Sequence, residues 1–428
     1  MTTTEILHAH FLASTGACTD TRSIVPGSLF FALKGPHFNA NAFAGEALEK
    51  GAQWAVVDDP AVATDERFLP VPDVLTALQE LARHHRRRFE IPVIGITGTN
   101  GKTTTKELVH AVLSADRPTL ATSGNLNNHI GVPLTLLRLS SAHRIAIVEM
   151  GANKVGDIRE LVEIAEPTHG LITNIGRAHL EGFGSYEGVV RAKTELYDFL
   201  RGHEGTLFVN HDDALLLEKS AGLPRHTYGT RADADTAGDS SSTGPFLEFV
   251  FAGMDGGAYH VPTRLIGEYN LPNALAAVAI GQHFGVPDQV IAEAITAYTP
   301  SNNRSEFRDS GRNHLILDAY NANPTSMAAA LRNFAAMATD RPKLAILGDM
   351  LELGADSRKE HDTIVQLIDE LRLDARFVGP EFQRSTSARS YPDAATLLHA
   401  LKGENLTGHL VLVKGSRGIR LETVVEAL

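Results

Sequence analysis

The chain has 428 residues, of which 43% are hydrophobic and 21% charged, and its formal net charge is −12. That length exceeds one ordinary core and predicts two or three domains of a soluble globular protein. The acidity argues against a nucleic-acid binder, whose affinity rests on neutralising phosphates over a broad surface.

The opening stretch "MTTTEILHAHFLASTG" lacks both a basic segment and an apolar one, so no secretory signal is expected. No uninterrupted apolar run reaches the roughly 18 residues that a membrane span requires. The single cysteine, Cys18, rules out an internal disulfide framework and suits a reducing, cytoplasmic compartment. It is expected as a small buried hydrophobe. "TDTRSIVPGSLFFALKG" reads as surface loops around a strand, and the basic run "RHHRRRF" (Arg83 to Phe89) as a solvated helix face closing a first domain.

From residue 91 onward, short β-branched runs alternate with helical patterns: "IPVIGI", "IAIVE", "GLITNI" and "TLFVN", then "HLILD", "LAILG", "ARFVG" and "LVLVKG". Strands separated by helix-sized segments predict mostly parallel sheets of βαβ units. "GTRADADTAGDSSSTG" (Gly229 to Gly244) is polar and low in complexity, which predicts a surface loop inside the second domain. "YTPSNNRSEF" (Tyr298 to Phe307) predicts a hinge into a third domain. The expected division is 1–88, 89–298 and 299–428.

"GITGTNGKTTTKELV" (Gly95 to Val109) follows a strand. Leu108, Val109, Val112 and Leu113 then lie on one helical face, so the stretch reads strand, glycine loop, helix. Backbone N–H groups in such a loop point at an anion, and the helix N-terminus adds a favourable partial charge. Lys102 can reach terminal phosphates and the Thr103 hydroxyl can ligate Mg²⁺, which predicts a nucleoside triphosphate site. Glu149 ends the strand "IAIVE" beside the loop and is a metal candidate. In "GEYNLPNALAAVAI", Pro272 and Asn273 fit a helix entrance.

The compact spacing G-T-N-G-K-T-T departs from the loop of kinases and GTPases. It resembles the loop of the Mur ligases and of folylpolyglutamate synthetase. "SGNLNNHIGVPLTLL", "VEMGANKVGDI", "LITNIGRAHLEGFGS", "RAKTEL", "DAYNANPTSM", "LGDMLELG" and "VLVKGSRGIR" follow in the order of one branch of that family, the MurF branch. The resemblance implies three α/β domains: a UDP-substrate domain, a central P-loop ATPase domain with a mostly parallel sheet, and a C-terminal Rossmann-like domain. It further implies an ATP-dependent ligase of peptidoglycan synthesis that uses two Mg²⁺ ions. Such an enzyme joins D-alanyl-D-alanine to UDP-N-acetylmuramoyl-tripeptide and acts as a monomer.

The resemblance also implies roles. Gly98, Thr99, Asn100, Gly101, Lys102, Thr103 and Thr104 would hold the ATP phosphates. Asn270 or Asn273 would meet the adenine, unless the two serve only as helix caps. Arg304 would touch phosphate and Asp318 the ribose. Thr103, Glu149 and His179 would ligate metal, and Lys193 would be carbamylated by CO₂, acting beside Mg²⁺. Thr21, Arg22 and Lys34 would contact the uridine diphosphate, and Asn125, Asn127 and Asn128 the muramoyl portion. Tyr320, Asn321, Asn323, Lys414, Ser416 and Arg417 would line the dipeptide side, with "GDMLELG" (Gly348 to Gly354) in the same cleft.

The chain departs from the branch in three places. It has Tyr269 where histidine is common, Ala319 where a second acid is common, and "HFNANAF" where an acid and a glycine often stand. A D-N-P-R string, found in relatives that add the third stem-peptide residue, is absent. A sister ligase with another amine and a folate polyglutamylating enzyme are disfavoured by the missing D-N-P-R string and the present "DAYNANP", and a rival of another class is a P-loop ATPase switch that performs no ligation.

Overall fold

The computed structural model describes residues 2–178, 180–242, 244–300 and 306–428. His179 and Arg304 lie outside the described residues. Three α/β layers follow one another along the chain, each built on its own main sheet.

The first sheet has four parallel strands, Ala17–Cys18, Leu29–Phe31, Trp54–Val57 and Phe68–Pro70. The helix Val74–Arg86 closes this layer, capped by the Asp73 side chain on Thr76 N–H. The basic run is not simply solvated: His85 and Arg86 are buried. The Arg86 guanidinium donates to the carbonyls of Ala165, Phe89 and Glu166 at 2.8 to 3.1 Å. Arg87 pairs with the Glu166 carboxylate. These bonds cross into the next layer, which is why a run of charges can be held inside. Cys18, expected to be buried, is half-buried beside the Asp20 and Ser23 carbonyls.

The second sheet has nine strands. From one edge, the order is Ala258–Ile266, Phe246–Ala252, Thr236–Ser240, Arg225–Gly229, Thr206–Asn210, His169–Ile172, Val93–Thr97, Ile145–Glu149 and Thr119–Ala121. The six strands from Arg225–Gly229 onward are parallel, as the βαβ pattern predicts. The polar stretch read as a loop instead contributes Thr236–Ser240. That strand is parallel to Arg225–Gly229 and antiparallel to Phe246–Ala252.

Successive residues of the central strands point to opposite faces. Val93, Ala146, Val148, Ile172 and Leu207 enter one core, which continues without a break into Leu29, Phe31, Leu78 and Leu81 of the first layer. Ile94, Ile96, Ile145, Ile147, Leu171 and Phe208 enter the other, against the helices Lys102–Ser114 and Leu271–His283.

The third sheet runs Glu306–Asp309, His314–Asp318, Leu410–Lys414, Lys343–Gly348, Asp374–Val378, Ser390–Tyr391, with only the first strand antiparallel. Its last strand in sequence is inserted beside its second, in register Asp318 opposite Lys414. All eight strands read from the sequence are present at those places.

Candidate functional site

Val93–Thr97 lies between Ile145–Glu149 and His169–Ile172, and the chain reaches these two neighbours in opposite directions across the sheet. Ligands collect at the carboxyl ends of strands at such a switch point. The loop Gly98–Gly101 occupies that place. Gly98 has φ +143°, and an added Cβ would lie 2.0 Å from Thr173 Oγ1. Gly101, the N-cap of Lys102–Ser114, has φ +80°, with Asn273 Oδ1 2.5 Å from an added Cβ. Only glycine meets both demands.

The loop is fastened to the end of the neighbouring strand. Thr99 N–H donates to the Asn174 carbonyl at 2.9 Å and Asn100 N–H to Asn174 Oδ1 at 3.1 Å. The Asn100 carbonyl accepts from Thr173 Oγ1 at 2.6 Å and from Asn174 Nδ2 at 3.0 Å. Thr173 and Asn174 were not singled out from sequence. Their signal was the polar pair that follows the apolar run "GLI". Lys102 Nζ donates to the carbonyls of Gly98 at 2.7 Å and Thr99 at 3.0 Å, so its ammonium sits over the loop.

Glu149 is almost wholly buried. Its Oε1 accepts from Thr103 Oγ1 at 3.2 Å and from Asn127 Nδ2 at 2.7 Å. Its Oε2 is buried with no hydrogen-bond partner. A buried carboxylate oxygen left unpaired beside a threonine hydroxyl and a phosphate loop fits a hard divalent cation with oxygen ligands. Among the described residues no cluster of three or more His, Cys, Asp or Glu forms a complete cage.

Lys193, on the helix Tyr186–Gly202, is buried, with its Nζ 5.6 Å from the centroid of the Phe183 ring. Burial, and secondarily the Lys102 charge, hold its pKa well below the ordinary lysine range, while Asp157 and Glu195 act in the opposite direction. Its amine is therefore disposed to be neutral and nucleophilic.

One cavity of about 1100 Å³ joins the phosphate loop and Glu149, while the buried Lys193 is not part of its lining. It is lined on the central layer by Thr99 to Thr104, Asn125, Asn127, Asn128, Glu149, Asn270 and Asn273, and on the third by Asp318, Tyr320, Asn321, Asn323 and Lys414. Asn127, expected on the acceptor, is already engaged with Glu149. Asn270 stands at the N-cap of Leu271–His283, but its side chain makes no capping hydrogen bond. The Asn270 amide donates to the Ile266 carbonyl at 2.8 Å, and Asn273 accepts from Thr105 Oγ1 at 3.0 Å. Asp318 and Lys414 form an ion pair with each other at 2.5 Å, across adjacent strands. Arg417 lies 5.7 Å from the Tyr320 ring centroid, and the Ser416 hydroxyl accepts from Leu351 N–H at 3.0 Å.

Several expected residues lie apart from this cavity. Thr21, Arg22 and Lys34 do not line it. Arg22 is paired with Asp20, and Lys34 with Asp58 at 2.8 Å. Ser416 and Arg417 are not among the lining residues either. "GDMLELG" is not in the lining either. Its Asp349 accepts from the N–H groups of Glu381 and Phe382 at 2.9 Å and so fixes the start of the helix Pro380–Ser385. Burial raises the Asp349 pKa. An acid at a strand end can serve a helix as readily as a ligand, and the sequence does not distinguish the two.

A P-loop and an acid with a free oxygen, faced across one cavity by another α/β layer, fit the class of nucleotide-binding proteins whose site is completed between layers. Three family models match: Mur ligase family, catalytic domain over residues 14–86; Mur ligase middle domain over 96–281; and Mur ligase, glutamate ligase domain over 303–417. The UDP-N-acetylmuramoyl-tripeptide–D-alanyl-D-alanine ligase of Bacillus subtilis is 36% identical over 96% of this chain and 93% of its own. That of Escherichia coli is 36% identical over 96% and 92%. Among solved structures, MurF from Acinetobacter baumannii superposes with TM-score 0.88 at 31% identity, over 99% of this chain and 97% of that one. MurF from Thermotoga maritima in complex with ADP superposes with TM-score 0.85 at 26% identity, over 97% of each. The chain belongs to the Mur ligase family, in its MurF branch, and is an ATP-dependent ligase.

Proposed function

We propose that the protein joins D-alanyl-D-alanine to UDP-N-acetylmuramoyl-tripeptide, completing the pentapeptide precursor of peptidoglycan in the cytoplasm as a monomer. The proposed domain limits are 1–88, 89–298 and 299–428. The observation that supports this reading best is the shared cavity, which sets the phosphate loop and the orphaned Glu149 oxygen opposite Asp318, Tyr320 and Lys414. Among the described residues no helix is long and apolar enough to cross a membrane.

In the first step an oxygen of the acceptor's terminal carboxylate attacks the γ-phosphorus and ADP leaves, giving an acyl phosphate. In the second, the dipeptide amine attacks the acyl carbon. The tetrahedral adduct collapses with loss of phosphate and a proton. Two anions must approach in the first step, so fixed positive charge is the chief requirement. Lys102 supplies it at the loop. Mg²⁺, held by Thr103, Glu149 and His179, would neutralise the phosphate oxygens. Gly98 to Thr104 would cradle the phosphates, Asn270 and Asn273 face the adenine, Asp318 the ribose and Arg304 the phosphate. Thr21, Arg22, Lys34, Asn125, Asn127 and Asn128 would hold the acceptor, and Tyr320, Asn321, Asn323, Lys414, Ser416 and Arg417 the dipeptide.

Lys193 would react with CO₂: its neutral amine forms the N–C bond and loses a proton, leaving a carbamate oxygen for the cation. The burial that depresses its pKa favours that reaction.

The test is phosphate release from ATP with each substrate omitted in turn. Release is expected only when acceptor and dipeptide are both present. ATP turnover indifferent to both would exclude ligation.

A further inference from the structure

The segment that follows Glu149 carries a cation at the cavity that none of the roles given above employs. Gly151 N–H donates to the Asn127 carbonyl at 2.7 Å. The N–H groups of Asn153 and Lys154 donate to Asp157 Oδ2 at 2.8 and 3.1 Å. The Glu195 carboxylate, 5% exposed, accepts from Gly156 N–H at 2.8 Å and from Arg159 N–H at 2.9 Å. It thereby fixes the start of the helix Asp157–Ala165. Gly182 lies against the flank of the segment, where an added Cβ would stand 2.1 Å from the Asn153 carbonyl oxygen. The backbone is held at both ends, and the exposed Lys154 is carried on it at the cavity.

Other charged side chains of the lining are engaged. Lys102 donates to loop carbonyls, and Lys414 pairs with Asp318. Asp157 serves the two N–H groups, and Glu160 accepts from Gln79 Nε2 at 2.7 Å. The Lys154 ammonium has no hydrogen bond or ion pair among the described residues. Lys154, Asp157 and Glu160 line one cavity, and each acid keeps acceptor capacity beyond these bonds. A cation beside two acids complements a zwitterion, a carboxylate next to an ammonium.

We propose that Lys154 selects the acceptor's last residue: its ammonium binds a carboxylate at the far end of that residue's side chain, as in diaminopimelate, while Asp157 and Glu160 face the adjoining ammonium. This rests on the reading that the acceptor's terminal carboxylate reacts beside Glu149. The side chain of the last residue leaves from the carbon that bears that carboxylate, and Asn153 to Glu160 is the stretch of lining that follows Glu149 in the chain. A lysine in the same place ends in an ammonium alone and would set like charge against Lys154.

The test titrates two acceptors calorimetrically into the full chain with Mg²⁺ and a nonhydrolysable ATP analogue. They are UDP-N-acetylmuramoyl-tripeptides ending in meso-diaminopimelate and in L-lysine. The wild type should bind the diaminopimelate form about tenfold more tightly, the scale of one charge-assisted hydrogen bond. Lys154→Met should lose most of that preference by weakening the diaminopimelate form alone. Lys154→Glu should reverse it, and Lys154→Arg should keep most of it. Melting of the three variants should match the wild type, because the replaced ammonium holds no described group. In the ligation assay the same change should appear in KM for the diaminopimelate acceptor and not in KM for ATP. Equal affinity of the wild type for both acceptors, or binding of neither, would overturn the proposal. So would a Met variant that weakens both alike, which would place Lys154 on a carboxylate that the two share. Wild type that binds with the expected preference yet ligates neither acceptor would refute the ligation and leave the role of Lys154 standing.

Discussion

Lys193 is the residue whose environment most contradicts its chemistry. A lysine that is buried loses solvation for its ammonium, and the nearby Lys102 charge adds to the penalty. Its folded pKa therefore lies below the unfolded value of about 10.4. Between those two values the unfolded chain binds more protons, so this residue's contribution to stability rises with pH. Lys193→Met keeps the volume and removes the charge. Its melting midpoint should exceed that of the wild type at pH 7, with the gap narrowing toward pH 9. Ligation should fall roughly 10–100-fold, the scale of a lost partner in a metal's surroundings. A less stable Met variant with full ligation would contradict both halves of the argument. Glu149 is the complementary case, an acid whose free oxygen is costly unless a cation meets it.

At the scale of elements, eight parallel strands of the second and third sheets were legible from apolar runs of four to six residues, because burial on both faces leaves few polar positions to confuse the period, whereas the parallel strands Thr119–Ala121, Arg225–Gly229 and Ser390–Tyr391 were not. Thr236–Ser240 was not legible, since its ladder partners, rather than its own side chains, make it a strand. The phosphate loop was legible to the residue, because glycine at Gly98 and Gly101 answers backbone requirements that no other residue meets. The place of "GDMLELG" was not legible for the opposite reason: its strand-end acid Asp349 leaves no trace in sequence of whether it faces a ligand or holds a helix. The helices Thr3–Leu12 and Val74–Arg86 hold another feature visible only in three dimensions. His85 Nε2 lies 3.0 Å from the Leu139 carbonyl and must donate to it, so its Nδ1 accepts from His8 Nε2 at 3.1 Å. Both rings are neutral in this chain of bonds. Burial, then His84, His85 and Arg88, lowers the His8 pKa to about 4, and burial lowers that of His85. With folded values below the unfolded 6.5, their stability is present above that pH and is lost as pH falls toward about 4. The wild-type melting midpoint should drop more steeply across this window than that of His8→Gln. Parallel pH profiles would show that the pair does not titrate with unfolding.

At the scale of the molecule, the three layers are not equally independent. The first and second share one continuous core, whereas most of the third layer's apolar residues sit in two clusters on either side of its own sheet. The third layer is therefore expected to move as a body of its own while the first two act as one, and the first layer must be anchored for an acceptor to meet the loop in a fixed place. Arg86 is the polar part of that anchor, its guanidinium spanning the Ala165, Glu166 and Phe89 carbonyls. Arg86→Ala strips a charged donor from acceptors that are buried or half-buried, at a cost of about 1–3 kcal/mol. Lysine restores the charge but not the planar fork, so Arg86→Lys should recover only part of the loss. Urea unfolding should show the deficit in the transition of the first two layers and leave that of the third layer unmoved. Kinetically, KM for the uridine-linked acceptor should rise several-fold in Arg86→Ala while KM for ATP stays within twofold, because the phosphate loop is fastened to Thr173 and Asn174 and not to the first layer. Equal increases in both constants would mean that the anchor supports the whole site, and the division into a rigid pair and a moving third body would fail.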